Sequence, residues 1–333
     1  MDQLGFVSGR TGRWGTVVAL LWVCIGAQAA EIGPRFLTDP AYLPLKGQLD
    51  GMSDFAYGSA SWNQTNNVAV QTAACTQNIE ELTQEFTYGV TDAIAVRLTE
   101  EYQWSAEAAT SDSGKHSGEV NDYDARGWTD PSVEAVWRYL DQGTHPLNAD
   151  LSLTWAPDVF NARYPGTTKL GTEARGGQTA SADLEFSRVG ELATLAANGG
   201  ITYAGQKTAV NGDDATLVYS PYAVYFLGVN TQTRFGAGVA LNLGLTGYWY
   251  NAASVSNDAD PDGGFVVQPG NLVVLATALN WQPIPDRLAL AFTYGLNITG
   301  SASSTFGSEP KNSNANNSQL ENVFGVRAVY VLF

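Results

Sequence analysis

Acids and arginines recur along the chain at even spacing: Glu81 with Glu85, Arg97 with Glu101, Glu134 with Arg138, Asp183 with Glu185, and Asp150 beside them. On a β-strand an even spacing sends side chains to one face. Charges gathered on an enclosed face must be paired or hydrated. Two arrangements meet that need. Acids and arginines on opposite walls set a transverse field across a water-filled passage, as rings of charge tune selectivity. Alternatively, the same groups form salt bridges that fill and stiffen a narrow, plugged interior. Glu81, Glu85, Arg97, Glu101, Glu134, Arg138, Asp150, Asp183 and Glu185 are therefore candidate pore-lining residues, with Arg234 near a turn. Their excess of acid favours cations or neutral solutes over anions.

Bond-breaking chemistry finds little support. Hydrolysis needs a general base, usually histidine. The chain has His116 and His145 only, one in a long polar connection and the other in a short turn. These fall at opposite ends of the architecture derived below and cannot share a site. There is no Gly-x-Ser-x-Gly elbow and no His-Glu-x-x-His. Asp258-x-Asp260-x-Asp262-Gly263 has the start of a calcium loop. Pro261 interrupts it, however, and Pro269 stands where the closing glutamate would be. It reads as a solvated hairpin loop; an ion there would organise the loop or bridge lipid phosphates. No catalytic residue, cofactor or metal ligand is assigned.

The charged face belongs to long alternating segments. From Ile94 to Trp104 one parity is Ile94, Val96, Leu98, Tyr102, Trp104; the other is Ala95, Arg97, Thr99, Glu101, Gln103. Leu288 to Ile298 repeats the pattern, with Leu288, Leu290, Phe292, Tyr294, Leu296 and Ile298 set against Ala289, Ala291, Thr293, Gly295 and Asn297. A soluble sandwich also alternates, but its wet face would carry more Lys and Arg than this small, Gly-rich one. An apolar face with aromatic ends and a small or polar face fit a barrel wall between lipid and lumen. Glu100 falls on the apolar parity, which places it near the outer interface or beside a bulge.

Twelve strands are expected, near 48–62, 78–90, 92–106, 129–141, 147–157, 178–189, 192–205, 214–228, 232–249, 266–281, 286–300 and 319–333. The expected short turns are 90–92, 141–146, 189–192, 228–232 and 282–286. Longer polar connections fill 64–77, 107–129, 158–177, 206–213, 251–264 and 301–318. Short turns on one side and long loops on the other match outer-membrane barrels. In the final strand both parities are apolar, so its register is open.

Composition agrees. Only 15% of residues are charged, while Gly (35), Tyr (15) and Trp (9) are abundant. Arg10 and Arg13, the apolar run Val17–Ile25 and Ala27-Gln28-Ala29 form a secretory signal peptide, with cleavage expected after Ala29. The run is too short to span a bilayer. Cleavage would take the net charge from −16 to about −17. Nucleic acid is thus not an expected partner; the acidity repels anions, favours cations or recruits divalent ions at a lipopolysaccharide surface. Cys75 is left without an intrachain disulfide partner. The expected organisation is a leader at 1–29, an extended Pro-punctuated lead-in at 30–47, and a barrel at 48–333. The lead-in is periplasmic or tucked into the barrel mouth.

The terminal strand Leu320 to Phe333 ends on an aromatic residue and resembles the C-terminal assembly signal of Gram-negative outer-membrane β-barrels. Such an end is a seam in a closed barrel and a liability on an open sheet. Tyr42-Leu43-Pro44-Leu45-Lys46-Gly47, the hairpin Tyr88-Gly89-Val90-Thr91-Asp92-Ala93 and Trp128-Thr129-Asp130-Pro131 resemble proteobacterial outer-membrane transporters loosely grouped with the MetA-like proteins of phenol-degradation pathways. The resemblance implies a barrel with a role in transport of small, apolar molecules, and it carries over no binding residue. The strand count gives an all-β, transmembrane, antiparallel up-and-down barrel of about 12 strands, whose expected partners are outer-membrane lipids and lipopolysaccharide, the barrel assembly machinery and a small, unidentified solute. A structural or adhesive barrel that binds partners through its loops is the alternative.

Overall fold

Alternation at period two, carried through Val, Leu, Tyr, Phe and Trp, is what a pleated wall between two environments selects. The computed structural model describes residues 36–66, 71–111, 120–166, 169–211, 214–258, 264–300, 302–306, 313–316 and 318–333. The leader, His116 and residues 259–263 of the acidic motif lie outside them.

The strands are β1 (Leu49–Asn66), β2 (Gln71–Thr91), β3 (Ile94–Ser111), β4 (Val120–Trp128), β5 (Ser132–Leu140), β6 (Asn148–Ala156), β7 (Ala162–Arg163), β8 (Thr179–Val189), β9 (Ala193–Ala204) and β10 (Lys207–Val210). They continue as β11 (Thr216–Tyr219), β12 (Tyr222–Gly236), β13 (Val239–Tyr250), β14 (Ala253–Asn257), β15 (Phe265–Val267), β16 (Gly270–Ile284), β17 (Leu288–Thr299), β18 (Ala302–Phe306), β19 (Ser313–Asn316) and β20 (Gln319–Val331). Counting β4 and β5 as one interrupted strand along β3, a closed antiparallel ring of 12 runs β1, β2, β3, β4/β5, β6, β8, β9, β12, β13, β16, β17, β20 and back to β1. At the seam, Asp50 pairs with Val331 and Ser61 with Leu320. Leu49 N–H donates to Phe333 O at 2.8 Å, and Leu332 N–H donates to Leu49 O at 2.8 Å.

The outward parity is apolar along its length. Leu98, Val133, Leu153, Leu184, Leu227, Leu243, Leu279 and Phe292 are exposed to the surroundings, as a lipid-facing band requires. Exposed aromatics edge it at both ends: Trp137, Phe235 and Trp281 beside the short turns, and Trp128, Trp155, Tyr203 and Trp249 on the far side. The last strand is settled by the same measure. Phe324, Val326 and Leu332 face outward, and Arg327 turns inward to Asp54 at 2.5 Å. Glu100 lies on the outward face, one pleat from Tyr102, where β4 and β5 are interrupted.

Two sequence expectations fail. No turn occurs at 228–232: β12 runs unbroken through Gly228 and Asn230, whose partners continue in register on both sides. The chain reverses instead at Gly236, Ala237 and Gly238, all at positive φ (84°, 51° and 73°). Two glycines make that left-handed run affordable, whereas Gly228 is in the wall. Nor are the outer connections simply loops. β1, β2 and β3 extend to Asn66, from Gln71 and to Ser111, and the segments expected as loops contain β10, β14, β18 and β19. These continue the pairing above the lipid band, through β10–β11, β11–β14, β14–β15, β15–β18, β18–β19 and β19–β1. Polar side chains do not oppose strands there because both faces are wet.

Candidate functional site: the barrel lumen

Inward parity collects the charged residues. Glu81, Glu85, Arg97, Glu101, Glu134, Arg138, Asp150, Asp183 and Glu185 all stand on the face opposite the exposed apolar row of their strands. Arg97 bridges Glu85 at 3.0 Å and Glu134 at 2.8 Å, linking β2, β3 and β5. Arg138 forms a bidentate pair with Asp150, with Nε and Nη2 each at 2.8 Å, and is buried. Asn198 donates to Asp183 at 3.2 Å. Gln103 donates to Glu81 at 3.2 Å, and so does Thr83 at 2.8 Å. Glu101 and Glu185 stand near these groups with no ion pair among the described residues.

The lead-in from Phe36 to Gly47 enters the ring at the short-turn end. Phe36, Leu37, Ala41 and Leu43 are buried, and Leu43 packs against Ala95 and Val136. Luminal side chains hold its backbone. Gln282 accepts from Leu37 N–H at 3.0 Å, Asn242 donates to Thr38 O at 3.0 Å, and Arg138 donates to Ala41 O at 2.8 Å. Asp39 is the anchor: Arg234 pairs with it at 2.5 Å and Thr194 donates to it at 2.7 Å. Gly89 is required where the segment leaves, because a Cβ there would lie 2.1 Å from Leu45 O. The mouth is thereby occupied. Spaces of about 40 and 210 Å³ lie beside the lead-in, the larger one against Asp50, Glu85, Arg97 and Arg327.

Above it lies a cavity of about 580 Å³, bordered by Pro40, Asp54, Glu81, Gln103, Asn297, Glu321 and Arg327 on one side and by Gly244, Val274, Ala276 and Ala278 on the other. At the outer end the segment between β6 and β8 folds back onto β3 and β4. Asp130, almost fully buried, accepts from the backbone N–H of Val159, Phe160 and Arg175 at 2.8–2.9 Å. Ser105, on the luminal parity, donates to Glu173 at 2.5 Å. Further out, Lys169 and Arg163 pair with Asp214. The hydrogen bond from Lys169, its charge and that of Arg163 hold the Asp214 carboxyl below its ordinary value of 3.8.

Sequence reasoning missed Asp39, Asp54, Glu321, Gln282 and Gln232, which donates to Thr38 Oγ1 at 3.3 Å, and gave Arg327 no role. Parity alone would have placed Asp54 on the luminal face of β1, two residues from Ala56. Arg327 and Glu321 were hidden by the double apolar parity of β20. Nothing in Thr38-Asp39-Pro40 announces that it meets Arg234. His145 sits in the turn after β5, its Nδ1 2.8 Å from Thr144 Oγ1.

No family model matches the chain, and no curated protein does. Solved structures do. The COG4313 outer membrane channel from Pseudomonas putida F1 superposes with a TM-score of 0.53 at 16% identity, over 89% of this chain and 100% of that one. The transport unit of the autotransporter AIDA-I from Escherichia coli gives 0.49 at 11% identity, over 94% and 97%. A Pseudomonas aeruginosa FadL homologue gives 0.43 at 9% identity, over 85% and 90%. The chain has the fold of an outer-membrane β-barrel, a closed antiparallel ring of 12 strands. At these identities the likeness is one of fold, and the lumen must be read from its own residues.

Proposed function

We propose that this outer-membrane barrel is a channel for passive passage of small solutes, with neutral or cationic ones preferred. The observation that carries the reading is the cavity of about 580 Å³ between Pro40 of the lead-in and the barrel wall. A barrel held together only as a scaffold has no need of it. Its architecture, shared with a solved outer membrane channel, is consistent with this role. The preference rests on charge. Asp54, Glu81, Glu85, Glu101, Glu134, Asp150, Asp183, Glu185 and Glu321 face Arg97, Arg138, Arg234 and Arg327, so the wall repels anions. The protein acts without covalent chemistry. Its partners are the lipids and lipopolysaccharide around the apolar band, the barrel assembly machinery during insertion, and a small solute.

Single-channel recording of the refolded mature chain in planar bilayers, under a KCl gradient, tests the reading. Discrete steps with a reversal potential favouring K⁺ are expected, and Glu101→Gln with Glu134→Gln should move that potential towards zero. A folded barrel that gives no steps with the lead-in present or deleted would reject the channel.

A further inference from the structure

Resting on the channel reading, we propose that the cavity of about 580 Å³ is a binding site for a small organic ammonium: a primary amine head on an alkyl or aryl body. Its volume lies within the ordinary range for small-ligand sites, roughly 300–1,000 Å³. Two acceptors at its edge are unfilled. Asp54 Oδ1 and Asn242 Oδ1 are buried and accept no hydrogen bond among the described residues, and both side chains border the cavity. Arg327, the cation on this wall, is committed to Asp54 through both Nε (2.8 Å) and Nη2 (2.5 Å).

Glu81 and Glu321 border the same space with no ion-pair partner among the described residues. Each is fixed by neutral donors, Glu81 by Gln103 and Thr83, and Glu321 by Asn297 at 2.8 Å. Glu321 also lies over Gly58: a Cβ there would sit 2.8 Å from Glu321 Oε1. The carboxylates are therefore oriented but not neutralised. Buried acceptors left unfilled are costly, and a charged donor satisfies them best.

The facing wall decides the rest of the ligand. Val274, Ala276, Ala278 and Gly244 form an apolar strip there, flanked by Asn230 and Asn242. A bare metal ion would leave that apolar surface unused, and a neutral hydrocarbon would leave the acceptors unfilled. A head with N–H donors and a body of a few carbons up to one aromatic ring uses both.

Binding to the refolded full chain in detergent, measured by calorimetry, tests this with four probes of similar bulk: 2-phenylethylammonium, 2-phenylethanol, 3-phenylpropionate and benzyltrimethylammonium. The primary ammonium should bind at one site, at least tenfold tighter than the alcohol and the N–H-free quaternary ion, with no binding of the carboxylate. E81Q/E321Q should abolish that preference while E100Q, on the lipid face, keeps it. Equal affinity for ammonium and alcohol would overturn the proposal without any variant being needed. So would an unchanged preference in a folded E81Q/E321Q barrel. Conductance measured on the same preparation separates the two readings. Steps without ammonium binding sink the site and leave the channel; binding without steps does the reverse.

Discussion

Arg138 and Arg97 show how far exposure decides the worth of an ion pair. Arg138 has a side chain only 6% exposed and gives its fork to Asp150, with Nη2 also donating to Ala41 O. Arg138→Met strands a buried carboxylate, and such losses cost about 3–5 kcal/mol. The urea midpoint of the refolded barrel should fall accordingly; a midpoint unmoved by the change would mean Asp150 is hydrated. Arg97 is 37% exposed, between Glu85 and Glu134. Arg97→Met should cost only about 1 kcal/mol. It should, however, make the reversal potential more cation-selective, since two carboxylates lose their counter-charge. The outermost pair responds to pH instead. Asp214 is depressed by Lys169 and Arg163, so its tether is fully present above the ordinary carboxylate value of 3.8 and is lost as pH falls through its lower folded value. Limited proteolysis near residue 214 should be flat from pH 8 to pH 5 and accelerate only in stronger acid. In Lys169→Gln that acceleration should begin at higher pH.

At the scale of the element, the lead-in is the part that sequence could describe but not place. Pro34, Pro40 and Pro44 forbid a helix and give no destination. That destination is set by tertiary partners far along the chain: Gln282, Asn242, Arg234 and Thr194. Strands with one apolar parity, such as β3 and β17, were legible because lipid and lumen impose opposite demands on alternate residues. β12 was not, because both of its parities are apolar near Val224–Leu227 and Gly228 mimics a turn. β20 was ambiguous for the same reason until Asp54 fixed Arg327. The lead-in makes its own prediction. Asp39→Ala removes the anchor, while Arg234 keeps Gly190 O at 2.6 Å and Thr194 at 2.7 Å, so the wall stays intact. Gly89→Val drives a side chain into Leu45 O from the opposite side of the segment. Both variants should raise single-channel conductance several-fold in a barrel that still folds. If neither does, solute does not pass the mouth that the lead-in occupies.

For the whole molecule the decisive fact is closure, because an outer-membrane wall cannot leave backbone groups facing lipid. The ring closes through β1 and β20, and its last links are Leu49 N–H to Phe333 O and Leu332 N–H to Leu49 O. These are backbone bonds. Phe333 is 72% exposed, and its ring takes no part in them. Two changes at the C-terminus therefore separate the backbone links from the ring. Removing Leu332 and Phe333 deletes both links at roughly 0.5–1.5 kcal/mol each. The temperature at which the barrel loses its folded mobility on gels should then drop by several degrees. Phe333→Ala keeps the carbonyl and should leave that temperature within a degree or two, while slowing assembly if the aromatic ring is read during insertion. A large thermal loss in Phe333→Ala would show that the ring itself holds the seam. No loss on truncation would show that the ladder from Asp50–Val331 to Ser61–Leu320 closes the seam without these last links.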